Sequence, residues 1–525
     1  MPQQLISIKE ASEFASKLLN KEISDLNISY LIQYGKIQRF NNNGSTLIDI
    51  DDLRNYYVSS KRTKELAWKK MLGQDLNWTL SFDKFREKDT TKHVHRLHPY
   101  KGKFIPQLVE YFLDTHTDDF KKKTYFSKGD IVLDPFVGSG TTLVQANELG
   151  IHSVGIDISR FNCLISEVKL LDYDLDVLEK EIKSLIGLVI SYESDSKIKA
   201  FDEELFTAIN DFNNKYFPSP DFKYKLARNG MEKNYIGAKE KEFLEIYKTL
   251  IQKYKVKLAQ DEKNNFLDKW YIYNTRKELN YAFELIKKIE NKKIKKILAI
   301  ILSRTIRSCR ATTHSDLATL KVPQLTTYYC HKHMKICKPI FSINKMFTRY
   351  SMDTLLRLRE FSKLKTSAFS SIICQDSRTA DIEEETKKIN PSFYKLISKQ
   401  KIKGVFTSPP YVGQIDYHEQ HAYAYDLFGF KRKDELEIGP LYKGQGIEAR
   451  RSYTEGVSKV LLNCKKYLAD DYDIFLVAND KYNLYPIIAE MSGMKIVDMY
   501  KRPVLNRTER DKSPYSETIF HLKEV

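Results

Sequence analysis

Apolar and polar positions change period several times along the chain, and each change marks a different kind of element. In residues 6–57, Ile8, Ala11, Phe14, Ala15 and Leu18 recur at helical spacing, so they share one face of a helix. A second helical segment stops at Gly35, a residue suited to a helix C-terminus. Short β-like runs then flank the polar turn Asn41-Asn42-Asn43-Gly44, and Asp51 or Asp52 opens a third helix. The predicted order over residues 1–60 is helix, helix, wing, helix.

Between 124 and 170 the pattern shortens. An apolar run from Ile131 to Leu133, a glycine turn, a helical stretch from Thr141 to Leu149 and a second apolar run from Ser153 to Ile156 spell a βαβ unit that ends at Asp157. From 171 to 365, Lys-rich helical stretches such as "NYAFELIKKIENKKIKKILAIILSRTIRS" take over. Strand-like runs return at 370–376, 402–408, 472–480 and 494–502, and "SETIFHLKEV" has the pattern of a closing antiparallel strand. The chain is therefore predicted to be α/β, with one sheet built from residues 61–170 and 366–525 and interrupted by a helical insertion at 171–365.

With 525 residues, 42% hydrophobic and 30% charged, the composition is that of a globular protein. No window approaches the ~18 unbroken apolar residues of a membrane span. The start, "MPQQLISIKEASEF", has neither the basic nor the apolar region of an export signal, so a cytoplasmic location without a membrane partner is expected. Six scattered cysteines make no disulfide framework. A net charge of +17 makes a polyanion the expected partner, because each lysine or arginine that meets a phosphate releases a condensed counterion. Solvated Lys-rich helix faces would carry the same charge, so charge alone does not choose between DNA, RNA and solvent.

Two short segments carry candidate chemistry. In Asp134-Pro135-Phe136-Val137-Gly138-Ser139-Gly140-Thr141-Thr142, a glycine turn between strand and helix lets the backbone approach a ligand and leaves helix N–H groups free. Asp157 closes the next strand, where an acidic side chain can take both hydroxyls of a ribose. An adenosine ligand without a pyrophosphate fits such a site. The second segment, "GVFTSPPYVGQ" at 404–414, ends an apolar strand on two prolines, which fix an extended backbone and leave a carbonyl unpaired.

"DPFVGSGTT" together with "TSPPY" resembles the S-adenosylmethionine-dependent DNA amino-methyltransferases, which methylate the N4 amine of cytosine or the N6 amine of adenine. "HRLHPYKGKFIPQLVEYFL" (95–113) resembles the family segment whose proline, here Pro99, and following helix cover the methionine end of the cofactor; "IICQDSR" resembles the strand that brings Asp376 to the adenine. The resemblance implies a Rossmann-like doubly wound sheet. It implies S-adenosylmethionine held by Asp134, Phe136, Gly138, Gly140, Thr141, Asp157, Asp376 and Pro99, and a target amine positioned by Ser408, Pro409, Pro410 and Tyr411. Double-stranded DNA is the implied partner, with a cognate restriction endonuclease as a further one. The N-terminal unit resembles an excisionase or MerR-like winged helix-turn-helix, in which the second helix enters the major groove.

An aromatic amine is a poor nucleophile because its lone pair is delocalised into the ring. Acceptors on its two N–H bonds, here the Ser408 hydroxyl and the Pro409 carbonyl, would stabilise charge as it attacks the sulfonium methyl, and Tyr411 would stack on a base rotated out of the duplex. Cytosine C5 methylation needs a cysteine after a proline, and the chain contains no Pro-Cys pair. In this family a serine in the first motif position leans towards N4-cytosine; N6-adenine methylation and an inactive DNA-binding regulator stand as alternatives, and RNA or a protein glutamine as substrate is disfavoured by the N-terminal unit.

Arg304, Arg307 and Arg310 fall on one helical flank that could grip phosphates. Arg450 and Arg451 lie in an aromatic and basic segment, "GPLYKGQGIEARRSY", with the same potential. Cys330, His331, His333 and Cys337 sit close together, but their spacing matches no standard zinc finger and no second cysteine pair follows. They are read as a basic loop, and no metal site is assigned.

Overall fold

The computed structural model of the protein describes residues 4–19, 22–42, 45–85, 87–192, 196–229, 233–262, 264–314, 322–505 and 514–525. Asn43 and Gly44 of the expected wing turn lie outside them. At the N-terminus β1 (Leu5–Ser7), β2 (Arg39–Asn42) and β3 (Ser45–Asp49) form an antiparallel sheet in the order β1-β3-β2. Helices Ile8–Leu19, Asp25–Gln33 and Ile50–Leu72 cover it, with Ala11, Ala15, Ile28 and Leu53 packed against Ile48 of β3. The third helix departs from expectation at both ends. Its N-cap is Asp49, whose side chain accepts from the Asp51 amide, so Asp51 and Asp52 lie inside the first turn. It then runs past residue 60 to Leu72, where the buried Trp68 packs edge-on to Trp78 at 6.0 Å.

The main sheet contains β4 (Ile131–Asp134) and β5 (His152–Ile156) from before the insertion. A separate hairpin, β6 (Tyr328–Cys330) and β7 (Lys335–Cys337), lies within the insertion. After it come β8 (Ser370–Ile373), β9 (Ile402–Thr407), β10 (Leu468–Ala478), β11 (Met494–Pro503) and β12 (Ser516–Glu524). The seven strands lie in the order β11-β12-β10-β9-β4-β5-β8. Pairing is parallel from β8 to β10, while β12 runs antiparallel to both of its neighbours. Successive residues of β9 and β10 enter different cores: Val405, Ile474 and Leu476 join one, Phe406, Phe475 and Val477 the other. A sheet covered by helices on both faces requires such continuously apolar strands. From β4 the chain builds outward to β5 and β8, then returns to lay β9 on the other side. The strand order therefore reverses between β4 and β9, where open α/β sheets form their ligand crevice.

The insertion is helical apart from its hairpin, with helices that include Leu175–Ser191, Ser196–Tyr216, Lys233–Tyr254, Tyr273–Lys287, Lys292–Cys309 and Asn344–Ser362. Its two ends meet, since Lys365 Nζ donates to Asp172 Oδ1 at 2.5 Å and to the Leu170 carbonyl. Helix Asp221–Asn229 docks on the N-terminal unit: Arg39 pairs with Asp221 at 2.9 Å, and Tyr224 donates to Gln38 at 2.9 Å. Among the described residues no helix is long and apolar enough to cross a membrane.

The approach of β9 to β10 is tight at Gly404, where a Cβ would lie 2.1 Å from the Asp473 carbonyl oxygen. Two paired central strands cannot separate cheaply. Gly404→Ala should therefore lower stability by at least about 1–3 kcal/mol, read from the urea unfolding midpoint; an unchanged midpoint would contradict the contact.

Candidate active site

The ends of β4 and β9 open onto one cavity of about 850 Å³, counted with its open mouth. Asp134, Phe136, Gly138 and Thr141 line it from the first segment, Ser408 and Pro410 from the second, and Asp157 and Asp376 from the strand ends beyond β4. The parts predicted from distant stretches of chain thus share one crevice. A direct bond joins them: Thr407 Oγ1 donates to Asp134 Oδ1 at 2.5 Å, and Thr142 Oγ1 donates to the Phe406 carbonyl at 3.3 Å.

The glycine loop is held by its carbonyls. Ser166 donates to the Gly138 carbonyl at 3.0 Å, buried Lys169 to that of Ser139, and Ser377 to that of Pro135 at 2.6 Å. Gly138 has φ +47°, and a Cβ there would lie 2.9 Å from the Tyr100 hydroxyl, so a side chain would strain the turn and push Tyr100 out of place. Gly140 is the residue preceding helix Thr141–Glu148 and is packed against Ser166 rather than exposed to the cavity.

Asp157 is already engaged. It accepts from the Gly138 amide at 2.9 Å, the Ser159 amide at 2.8 Å and Asn162 Nδ2 at 3.2 Å. Burial nonetheless pushes its carboxyl up to about 6, and does the same to Asp134 despite the Thr407 hydroxyl. Asp376 behaves differently. Burial pushes it up, but the clamp of Arg378, at 2.9 Å and 2.6 Å, outweighs burial and holds it below its ordinary value.

Ser408 Oγ donates to the Val477 carbonyl at 2.9 Å. Tyr411 does not line the cavity; its hydroxyl donates to Glu517 at 2.8 Å, and Glu517 in turn pairs with Arg502 at 3.2 Å. Pro409 is buried and Pro99 half-buried, and neither forms part of the cavity wall. From the Pro99 segment Tyr100, Gly102, Lys103 and Phe104 reach the cavity, the first, third and fourth with large side chains. Sequence reading missed these four, together with Ser159, Asn162, Tyr417 and the buried pair His418–Glu437. Tyr100 stacks on Tyr417 with ring centroids 6.2 Å apart, a contact between residues remote in sequence. Burial brings the Lys103 ammonium down to about 8.

The arginine flank is only partly available. Arg304 is buried, bonded to Asp353 at 2.7 Å and laid over Tyr350, so it is no phosphate grip. Arg450 lies over Tyr482 at 3.6 Å and bonds the Gln445 carbonyl, whereas Arg451 is largely exposed. Lys101, beside Tyr100, is held below its ordinary value first by burial and then by the charges of Arg307 and Arg310.

A family model described as DNA methylase matches residues 20–168. The chain is 49% identical over 529 aligned positions, 99% of its own length and 97% of the other protein, to the type II methyltransferase M.MjaII of Methanocaldococcus jannaschii. This chain belongs to the S-adenosylmethionine-dependent DNA methyltransferases of the N4/N6 amino family. Shorter similarities reach two further type II methyltransferases. M.BsoBI of Geobacillus stearothermophilus is 36% identical over 94 residues, 18% of this chain and 17% of that one; M.MvaI of Kocuria varians is 31% identical over 117 residues, 22% and 24% respectively.

The cavity of this DNA methyltransferase suits a polar adenosine-like group. Asn162 Oδ1 and Ser139 Oγ, both in residues that line it, are buried without a hydrogen-bond partner, and buried polar atoms ordinarily have one.

Asp134 binds its proton more tightly in the folded than in the unfolded chain, so its ionisation subtracts from stability as pH rises through about 6. Thr407→Val removes the donor that offsets this and raises the carboxyl further. The variant should lose about 1–2 kcal/mol more at pH 8 than at pH 5; equal losses in urea unfolding at the two pH values would exclude the coupling.

Proposed function

We propose that this methyltransferase transfers a methyl group to the exocyclic N4 amine of cytosine in double-stranded DNA, as the modifying partner of a cognate restriction endonuclease. The observation that carries the reading is the hydrogen bond of Ser408. Its one hydroxyl proton is spent on the Val477 carbonyl, which leaves the oxygen lone pairs as acceptors beside the cavity. An acceptor fixed before the reaction needs no reorganisation when an amine N–H arrives. The Pro409 carbonyl would take the second N–H. Tyr411, its hydroxyl tethered to Glu517, would offer a ring of fixed plane to the unstacked base.

Bound S-adenosylmethionine supplies an electrophilic methyl on a sulfonium. On the side of the chain, Asp157 would hold the ribose hydroxyls, Asp376 the adenine edge, and Phe136, Gly138 and Thr141 the surrounding wall, with Gly140 allowing the close approach of Ser166 behind it. Asp134 would keep the loop in register through Thr407, and the segment after Pro99 would close the far end, with the Lys103 ammonium suited to a carboxylate. Lys101 and Arg307 would meet the DNA backbone, whereas Arg310 is buried over Tyr423. The N-terminal unit would add contacts through helix Asp25–Gln33, where Tyr30 is 57% exposed and stacks on Tyr34.

Digestion of methylated duplex to nucleosides followed by mass spectrometry should give N4-methylcytosine. N6-methyladenine would replace the target and keep the chemistry, and binding without transfer of label would leave a regulator. Ser408→Ala should lower kcat by about 100-fold with cofactor affinity essentially unchanged; wild-type turnover would remove the assigned role.

Hydroxyls donate more strongly to an ionised carboxylate than to a protonated one, so the ribose is held best once Asp157 has lost its proton. Cofactor affinity measured by calorimetry should weaken as pH falls through about 6, and Asp157→Asn should bind weakly with a flatter profile. A flat wild-type profile would place the ribose elsewhere.

A further inference from the structure

Far along the chain from the catalytic segments, the hairpin of the insertion gathers four side chains of metal-binding type. Cys330 ends β6, Cys337 ends β7, and His333 stands in the turn between them; His314 arrives from the segment that follows helix Lys292–Cys309. Their ligating atoms all lie within 4.8 Å of one another. His331, the other histidine of the motif, is exposed and turned edge-on to Tyr329.

The distances have the size that a metal would impose. Cys330 Sγ is 3.6 Å from both His314 Nδ1 and His333 Nδ1, and Cys337 Sγ is 3.5 Å from His333 Nδ1. A tetrahedral zinc with ordinary Zn–S and Zn–N bonds separates sulfur from nitrogen by about 3.5–3.6 Å. No separation in the set exceeds 4.8 Å, within about 1.5 Å of an ideal tetrahedral edge, and the exposed His314 side chain leaves room for adjustment. Neutral thiols are weak donors, so mutual hydrogen bonding is a poor reason for two of them to converge on two imidazoles.

The backbone is shaped to match. The amides of His333 and Met334 both donate to the Cys330 carbonyl, at 3.1 Å and 2.6 Å, and Met334 has φ +54°. This turn brings the His333 ring back over the two strand ends. Tyr328 supports the fourth member, with its hydroxyl 2.8 Å from His314 Nδ1 and accepting from the His314 amide at 3.1 Å. A metal either displaces that hydroxyl from Nδ1 or takes Nε2 and leaves Tyr328 as the partner that orients the ring.

We infer that Cys330, His333, Cys337 and His314 form a structural zinc site of the Cys₂His₂ type, which pins the hairpin to the chain leaving the Arg304–Arg307 helix. The motif reads C-x₂-H-x₃-C, with the fourth ligand supplied from upstream. Binding converts both thiols to thiolates and releases their two protons to solvent. Four protein ligands fill the tetrahedron and leave no open position, which is the mark of a structural rather than a catalytic site. Two thiolates and two imidazoles select zinc over magnesium or calcium.

The test uses the full-length protein, purified under reducing conditions from zinc-supplemented cells. Elemental analysis should find about one zinc per chain. Cobalt exchanged into the site should give the strong visible bands of tetrahedral coordination together with thiolate charge transfer. Cys330→Ser and Cys337→Ser should each abolish the charge-transfer pattern or halve it and lose most of the zinc, while Cys464→Ser, in the buried core of the sheet, should keep both. Metal-free wild-type protein that shows no cobalt spectrum, or a Cys330–Cys337 disulfide in mass spectra of the reduced preparation, overturns the inference. So does zinc that survives both substitutions. If the cysteine variants do not fold, the cobalt spectrum of the wild type decides by itself, because two thiolate ligands and a tetrahedral field are read directly from it.

Discussion

The hydrogen bond from Thr407 to Asp134 ties together two strand ends that are 273 positions apart in the chain. β4 and β9 are the neighbours at which the strand order reverses, and each ends in a segment that cannot continue the sheet: a glycine loop after Asp134, two prolines after Ser408. A buried carboxylate that lost its donor would be costly, so the register of these two strands is held at the point where it matters. The glycine loop and the Ser408-Pro409-Pro410 segment are thereby fixed to one frame.

The loop itself is arranged from behind. Ser166, Lys169 and Ser377 take the carbonyls of Gly138, Ser139 and Pro135, which turns the polar backbone of the loop into a fixed wall. Two of these ties come from helix Arg160–Leu170, whose apolar face packs in a core shared with the insertion helices, and the third from the segment just after β8. Rigidity at the cavity thus follows from the packing around the sheet, insertion helices included, rather than from the loop sequence alone.

Periodicity revealed most of the sheet, because strands buried on both faces must be apolar throughout, and residues 402–407 or 472–478 have no other reading. Asp134, Gly138, Asp157 and Ser408 were legible for a similar reason: each sits at a strand end marked by glycine or proline. Tyr100, Asn162, Tyr417 and the His418–Glu437 pair were not, since nothing local marks a tyrosine that will stack on another more than 300 positions away. Helical spacing placed Arg304 on a flank with Arg307 but was silent about Asp353, which claims it. The same limit applied to the cysteine and histidine cluster, whose fourth member, His314, lies outside any spacing rule. Asp49 rather than Asp51 caps the third helix because capping depends on backbone geometry, which adjacent aspartates leave ambiguous.

Lys365 reaches back to Asp172 and to the carbonyl of Leu170, so the helical excursion between β5 and β8 departs from and rejoins the framework at a single neck. Beyond the neck, helices Leu175–Ser191, Tyr273–Lys287, Lys292–Cys309 and Asn344–Ser362 share one apolar core with helix Arg160–Leu170 and with Tyr423 and Leu427, so the excursion and the framework are packed as one body. A change in those insertion helices is therefore felt by the helix whose Ser166 and Lys169 hold the carbonyls of Gly138 and Ser139.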